Sequence, residues 1–242
     1  MLHTLPKPVI FAHRGASAHA PENTLAAFEL AQEQGADGIE LDVKLSADGI
    51  PVVFHDPILD RTTNGSGTLA NFDLAALQKL DAGDGQRIPT LAQVFERLGR
   101  SLIINVELTN YTTPKDDLVD QVVALIKEHQ LQSHILFSSF LQKNLKRAAE
   151  LLPDLPRGLL AIPRPMGIFA RTFGFASPRY QAIHPHHSNL SQRVVNNAHQ
   201  RGQRVHVWTV NDPAQMRELK KWGVDGIITD DPQLAVKTLR TS

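Results

Sequence analysis

The chain has 242 residues, 42% hydrophobic and 21% charged, enough apolar content to bury a sizeable core without an external staple. Lysine plus arginine and aspartate plus glutamate both number 25, so the formal net charge is zero and no broad attraction to nucleic acid or anionic lipid follows. The absence of cysteine excludes a disulfide scaffold, a thiolate zinc site and a cysteine nucleophile together.

Residues 1–8 lack a charged segment leading into a long apolar one, and no window nears the length of a membrane span. A soluble, cytoplasmic protein without stable membrane anchoring is therefore expected. An apolar run at 9–12 ends in His13-Arg14-Gly15, and after a loop Thr24, or Asn23 before it, is placed to cap a helix up to Gln34, with Gly35 just past its end. This unit of strand, loop and helix then recurs.

Strand-like runs lie at 9–12, 38–43, 102–107, 134–137, 158–162, 181–184, 204–208 and 225–228. Helical patterns at 90–98, 115–129, 141–151, 191–201, 213–221 and 232–239 fall between most of them. Such alternation builds a parallel sheet through right-handed crossovers, and eight units close into a (β/α)8 TIM barrel; an open doubly wound sheet is the architectural alternative. A single barrel domain over 1–242 is the expectation. Two strand entries, Gly35-Ala36-Asp37-Gly38-Ile39 and Gly223-Val224-Asp225-Gly226-Ile227, predict repeated geometry. Residues 57–87 break the rhythm and read as a small insertion after the second strand, over one barrel mouth. Residues 163–179 carry few regular signals and read as a distorted helix at the fifth unit.

The chemistry concentrates in 37–56. Side chains two apart on a strand share a face, so Glu40 and Asp42 point one way while Ile39, Leu41 and Val43 point the other. At about 6 Å and an effective dielectric of about 20 their repulsion is roughly 3 kcal/mol, which a bound cation turns into attraction. With Glu107 they make an all-oxygen set of hard ligands suited to Mg2+ or Ca2+. His13 and His55 flank the set as proton carriers near neutral pH, and Arg14 suits a phosphate oxygen. Singly, each has an ordinary structural role: a core histidine, a turn pair, a surface arginine, an exposed acidic strand face. Their joint placement at strand ends describes phosphoryl transfer or phosphodiester hydrolysis. The histidines at 184, 186 and 187, broken by Pro185, read either as lining the mouth from the sixth strand or, more readily, as surface residues.

These residues resemble the glycerophosphodiester phosphodiesterase family. The likeness runs through His13-Arg14-Gly15, Glu22-Asn23-Thr24, 35–56, Arg61-Thr62-Thr63-Asn64-Gly65, Ile88-Pro89-Thr90-Leu91, Val106-Glu107, Ser138-Ser139-Phe140, Trp208-Thr209-Val210-Asn211 and 226–230. It implies a barrel with an insertion after the second strand, and hydrolysis of a glycerophosphodiester, the small-molecule partner, to glycerol 3-phosphate and an alcohol. It also implies that Glu40, Asp42 and Glu107 bind one divalent cation, that His13 and His55 are the general acid/base pair, that Arg14 contacts the phosphate, and that Trp208 lines the glycerol side. Lysophospholipase D-like or sphingomyelinase D-like headgroup cleavage, and a non-catalytic phosphodiester-binding barrel, remain alternatives. One departure stands out: where the family usually has lysine two residues beyond the third metal-binding glutamate, this chain has Thr109. Lys44, which shares strand parity with Glu40 and Asp42, is the nearest replacement for that charge.

Overall fold

Each of the eight apolar runs forms a strand in a computed structural model that describes residues 5–161, 174–175, 177 and 179–240. The strands are β1 (Val9–His13), β2 (Gly38–Leu45), β3 (Pro51–Val53), β4 (Ile103–Leu108), β5 (Ile135–Ser139), β6 (Arg157–Ala161), β7 (Ala182–Pro185), β8 (Arg204–Val207) and β9 (Gly226–Thr229). Leaving β3 aside, neighbours pair in parallel through the order β1-β2-β4-β5-β6-β7-β8-β9, and β9 pairs back onto β1. This is a closed (β/α)8 TIM barrel, not the open sheet. The helices are α1 (Leu25–Glu33), α2 (Leu74–Leu77), α3 (Leu91–Leu98), α4 (Leu118–Glu128), α5 (Gln142–Leu151), α6 (Gln192–Gln200), α7 (Pro213–Trp222) and α8 (Pro232–Arg240). The distorted helix expected within 163–179 lies almost entirely outside the described residues.

Strand parity sorts the side chains into two populations. Ile39, Leu41 and Val43 join Ile104, Val106 and Leu108 in the apolar layer between sheet and helices. The opposite parity fills the barrel interior, where Val9, Phe11, Ile103, Leu136 and Ile228 form a smaller cluster that includes Trp208 at its edge. Glu40 and Asp42 belong to this inward set and are 3% and 1% exposed.

The echoed strand entries adopt one geometry twice. Gly35 and Gly223 take left-handed backbone at φ 82° and 79°, ending α1 and α7. The aspartate two residues later then clips the neighbouring strand: Asp37 Oδ2 accepts from Ile10 N at 2.8 Å, and Asp225 Oδ2 accepts from Val205 N at 2.9 Å. Thr24 is the N-cap of α1, its hydroxyl accepting from Ala27 N.

The run before His55 is a ninth strand. A tight turn through Asp48 and Gly49 sends β3 back antiparallel along β2, with Val43 opposite Val53. Proline opens it, as an edge strand permits. The 57–87 insertion that follows packs on a core of its own, in which Leu59, Leu69, Leu77 and Ile88 are almost wholly buried with Val52 and Phe54.

Gly38 begins β2 where a side chain has no room: an added Cβ falls 2.4 Å from the Ile103 carbonyl oxygen and 2.8 Å from the Phe11 ring. Gly38→Ala is expected to destabilise the protein by about 2 kcal/mol or more, measured by urea unfolding, because the clash is with backbone of a paired strand.

Candidate active site

Register sets the site. His13 on β1 lies beside Glu40 on β2, and Asp42 lies beside Glu107 on β4. Parallel neighbours carry these groups to the carboxyl ends of the strands, the barrel face where side chains of different strands meet. One oxygen each from Glu40, Asp42 and Glu107 fall within 4.8 Å of one another. Burial, then the neighbouring carboxylates, push the Glu40 carboxyl well above its ordinary range. Burial and Asp42 raise Glu107 to about 8. Such a set repels itself and takes up protons or a cation; hard oxygens at this spacing suit a divalent ion.

Several groups already lean on the triad. Arg14 takes left-handed backbone at φ 56°, which aims its amide at Glu40, where it reaches the carbonyl at 2.9 Å and Oε2 at 3.2 Å. Its Nε lies 3.3 Å from Asp42 Oδ2. Asn23, also left-handed at φ 58°, donates from Nδ2 to the same oxygen at 2.9 Å. Tyr111 donates its phenol to Glu107 Oε1 at 2.6 Å. Non-glycine residues in this backbone region are uncommon, and here both turn a donor toward a buried carboxylate.

Each histidine has a carboxylate behind it. His13 Nδ1–H donates to Asp230 Oδ1 at 2.6 Å; Asp230 is itself fixed by Asn211 Nδ2 at 2.5 Å and Ser17 Oγ at 3.2 Å. His55 Nδ1–H donates to Asp56 Oδ1 at 2.5 Å. Burial works to raise the Asp56 carboxyl, but the hydrogen bonds from Arg61 and His55 outweigh it and hold the group at about 2. Asp230 is lowered likewise, His13 overcoming burial. With Nδ1 engaged, Nε2 of each ring is the atom left for substrate.

A cleft of about 60 Å³ is lined by His13, Arg14, Glu40, His55, Asn105, Glu107, Phe140, Leu160, Trp208 and Ile228. The structure therefore brings together all seven residues singled out in the sequence, Asp42 adjoining through the triad. Trp208 sits on the apolar side, its indole N–H donating to the His184 carbonyl at 2.7 Å, and its ring meets Phe140 and His186 edge-on. The surface reading of the histidine cluster is corrected. His184 points into the barrel against Gly158 and is fully buried, because inward parity and the missing Cβ make room for its ring; His186 and His187 are half-buried at the rim.

Sequence reasoning does not single out Asp56, Tyr111 or Asn105 as parts of the site, and it sets Asp230 aside because a strand-end aspartate can equally be a helix cap. The His55-Asp56 adjacency and the likeness at 226–230 were the available signals for Asp56 and Asp230; nothing flagged Tyr111. Ser139 is a latch, donating to the Leu108 carbonyl at 2.8 Å. The Thr109 departure has a local answer: Lys44 Nζ lies 2.6 Å from the Thr109 carbonyl and 3.0 Å from its hydroxyl. The ammonium of one strand occupies the neighbourhood of the residue that lacks a charge on the next.

A carboxylate triad beside two carboxylate-backed imidazoles, at the carboxyl ends of a parallel barrel, is an arrangement suited to phosphoric diester hydrolysis. A family model described as the glycerophosphoryl diester phosphodiesterase family matches residues 13–234. A glycerophosphodiester phosphodiesterase of Caldanaerobacter subterraneus subsp. tengcongensis is 38% identical over 97% of this chain and 98% of its own length. Among solved structures, an Oleispira antarctica phosphodiesterase in complex with the product sn-glycerol-3-phosphate aligns with a TM-score of 0.85 and 34% identity, covering 97% of each chain. A Thermotoga maritima glycerophosphodiester phosphodiesterase aligns at 0.77 and 31% identity, over 96% of this chain and 99% of that one. The chain belongs to the glycerophosphoryl diester phosphodiesterase family.

The raised carboxyls tie metal binding to pH. Glu40 and Glu107 hold protons more tightly folded than unfolded, so the metal-free fold is penalised at high pH and gains stability as pH falls through about 8 toward 4.5. Apparent Mg2+ affinity is expected to weaken from pH 8 to pH 6 with proton release on binding, and Glu107→Gln to raise the metal-free Tm at pH 8. Titration calorimetry in buffers of differing ionisation enthalpy reads the first; an affinity flat across this range, with no proton release, would show that neither carboxyl titrates there.

Proposed function

We propose that the protein hydrolyses glycerophosphodiesters to glycerol 3-phosphate and an alcohol, with His13 and His55 as proton carriers and one divalent cation, Mg2+ or Ca2+, held by Glu40, Asp42 and Glu107. The observation that carries this reading is the pair of carboxylate-backed imidazoles opening on the same cleft as the triad. Binding alone needs no matched proton carriers. The family supports the reaction, and the Oleispira antarctica relative was solved with sn-glycerol-3-phosphate.

A cation in the triad supplies charge neutralisation at the phosphate and lowers the pKa of an oxygen bound to it. The protein's own groups do the rest. Arg14, held from behind by Glu22, presents its guanidinium to the phosphate. Phe140, Leu160, Trp208 and Ile228 give the cleft an apolar side against which carbon atoms of the substrate pack. At one histidine Nε2 takes a proton from the attacking oxygen, either of water directly or of the neighbouring glycerol hydroxyl, in which case water then opens the cyclic phosphate to glycerol 3-phosphate; at the other Nε2–H gives a proton to the departing alcohol oxygen. Asp230 and Asp56 keep the Nδ1–H tautomers and stabilise whichever ring carries the charge. The family match and the named relatives favour a glycerophosphodiester over lysophospholipid or sphingomyelin. Lys44, anchored on Thr109, is assigned as the replacement counter-charge.

Glycerophosphocholine, glycerophosphoethanolamine and lysophosphatidylcholine, each with Mg2+ or Ca2+ against an EDTA control, test the reading. Turnover is expected for the first two, lost with EDTA; preference for the third favours headgroup cleavage of lipids, and no turnover of any favours a binding module. His13→Ala and His55→Ala should each lower kcat by about a hundredfold or more. Either variant near wild-type turnover would remove that histidine from the mechanism. Lys44→Met is expected to raise KM several-fold while leaving metal affinity unchanged, and an unaltered KM would strip Lys44 of the role.

A further inference from the structure

The insertion sends one side chain back to the cleft. Arg61 uses its whole fork: Nε donates to Asp56 Oδ2 at 2.5 Å, while Nη1 and Nη2 donate to Glu22 Oε2 and Oε1 at 2.8 and 2.7 Å. Glu22 Oε1 also accepts from Arg14 Nη1 at 2.8 Å. Unbroken contacts therefore run from the His55 imidazole through Asp56, Arg61 and Glu22 to the Arg14 guanidinium. We propose that Arg61 is a positioning residue that holds the proton carrier His55 and the phosphate-binding Arg14 in one fixed relation. The proposal rests on the two-histidine reading above.

The local chain is built to aim this residue. Leu59 is buried in the insertion's own core, its amide donates to the Gly67 carbonyl at 2.9 Å, and Asp60 takes the Gly67 amide at 3.0 Å. The turn is thus closed on both sides of Arg61 without help from its side chain. An exposed ion pair contributes little to stability, and Arg61 is 47% exposed, so a purely structural use would be a weak one. Its geometry does something else. Planar donors fix the relative orientation of two carboxylates, and each carboxylate fixes a group lining the cleft. Asp56 bears on Nδ1 of His55 and so selects the tautomer that leaves Nε2 toward substrate. Glu22 divides one oxygen between two guanidiniums, so Arg61 steadies the carboxylate that, together with Asp42, holds the Arg14 guanidinium.

The test compares kcat, KM, Mg2+ affinity and Tm for wild type, Arg61→Ala, Arg61→Lys, Asp56→Asn and the Asp56→Asn/Arg61→Ala double variant on glycerophosphoethanolamine. Arg61→Ala is expected to lower kcat by about ten- to a hundredfold, the scale of a misplaced catalytic group, with Mg2+ affinity within about twofold of wild type. Arg61→Lys keeps the charge but not the fork and should stay at least about fivefold below wild type. In the Asp56→Asn background the kcat loss on removing Arg61 should shrink at least about threefold, since the path to His55 is already cut, while a KM increase carried through Glu22 to Arg14 should persist. Three results would overturn the proposal: wild-type kcat in Arg61→Ala, wild-type kcat in Arg61→Lys, or the same kcat loss with and without Asp56. Should Arg61→Ala fail to fold, Arg61→Lys alone decides. His55→Ala at wild-type kcat sinks the parent reading instead, which separates the two failures.

Discussion

Three carboxylates held within 4.8 Å in a largely dehydrated place set the terms for everything around them. At that spacing and an effective dielectric of about 20, each pair of charges repels by roughly 3 kcal/mol, a large fraction of a domain's net stability. The fold tolerates the arrangement by surrounding it with donors. Arg14 and Asn23 adopt left-handed backbone to deliver theirs, Tyr111 brings a phenol from the loop after β4, and Lys44 stands on the same strand as two of the acids. None of these is placed by packing alone.

The two histidines of the cleft are braced by opposite logic. His13 ends a central barrel strand and is braced by Asp230, which lies at the far end of the sequence but on the neighbouring strand because β9 closes the ring against β1. His55 ends an edge strand outside the ring and is braced by the residue next to it. Barrel closure therefore builds one histidine–aspartate contact and the hairpin builds the other. The insertion anchors the hairpin half, through Arg61, to the β1–α1 loop.

Much of this was legible in the sequence because it obeys short periods. Parity along β2 separates Glu40 and Asp42 from Ile39, Leu41 and Val43, and the alternation of apolar runs with helical patterns gives eight strands at nearly their observed limits. The repeated Gly-x-Asp-Gly entry also carried through, down to the aspartate that clips the adjacent strand. What periodicity does not encode is contact across long separation. Arg61 with Glu22 and Asn23 with Asp42 join loops to strands, and no spacing rule marks them. His184 was misread because a run of polar residues around a proline resembles a surface turn; only the register that sets Gly158 beside its ring shows that it faces inward. The register of β4 on β2 likewise puts the Lys44 ammonium on Thr109.

The barrel interior beneath the triad has a consequence for how a cation reaches it. Phe11, Leu136 and Ile228 fill that floor with hydrocarbon, and burial holds the His184 and His206 rings neutral, His206 at about 4. A poorly polarisable floor gives the field of the acids nowhere to spread downward, so it leaves the molecule through the mouth. Under the proposed reading a cation would reach the triad through that mouth, and the range over which the acids are felt in solution is set by the Debye length, about 10 Å at 0.1 M salt. The apolar plug would then shape the approach of the ion, and the acids above it the hold.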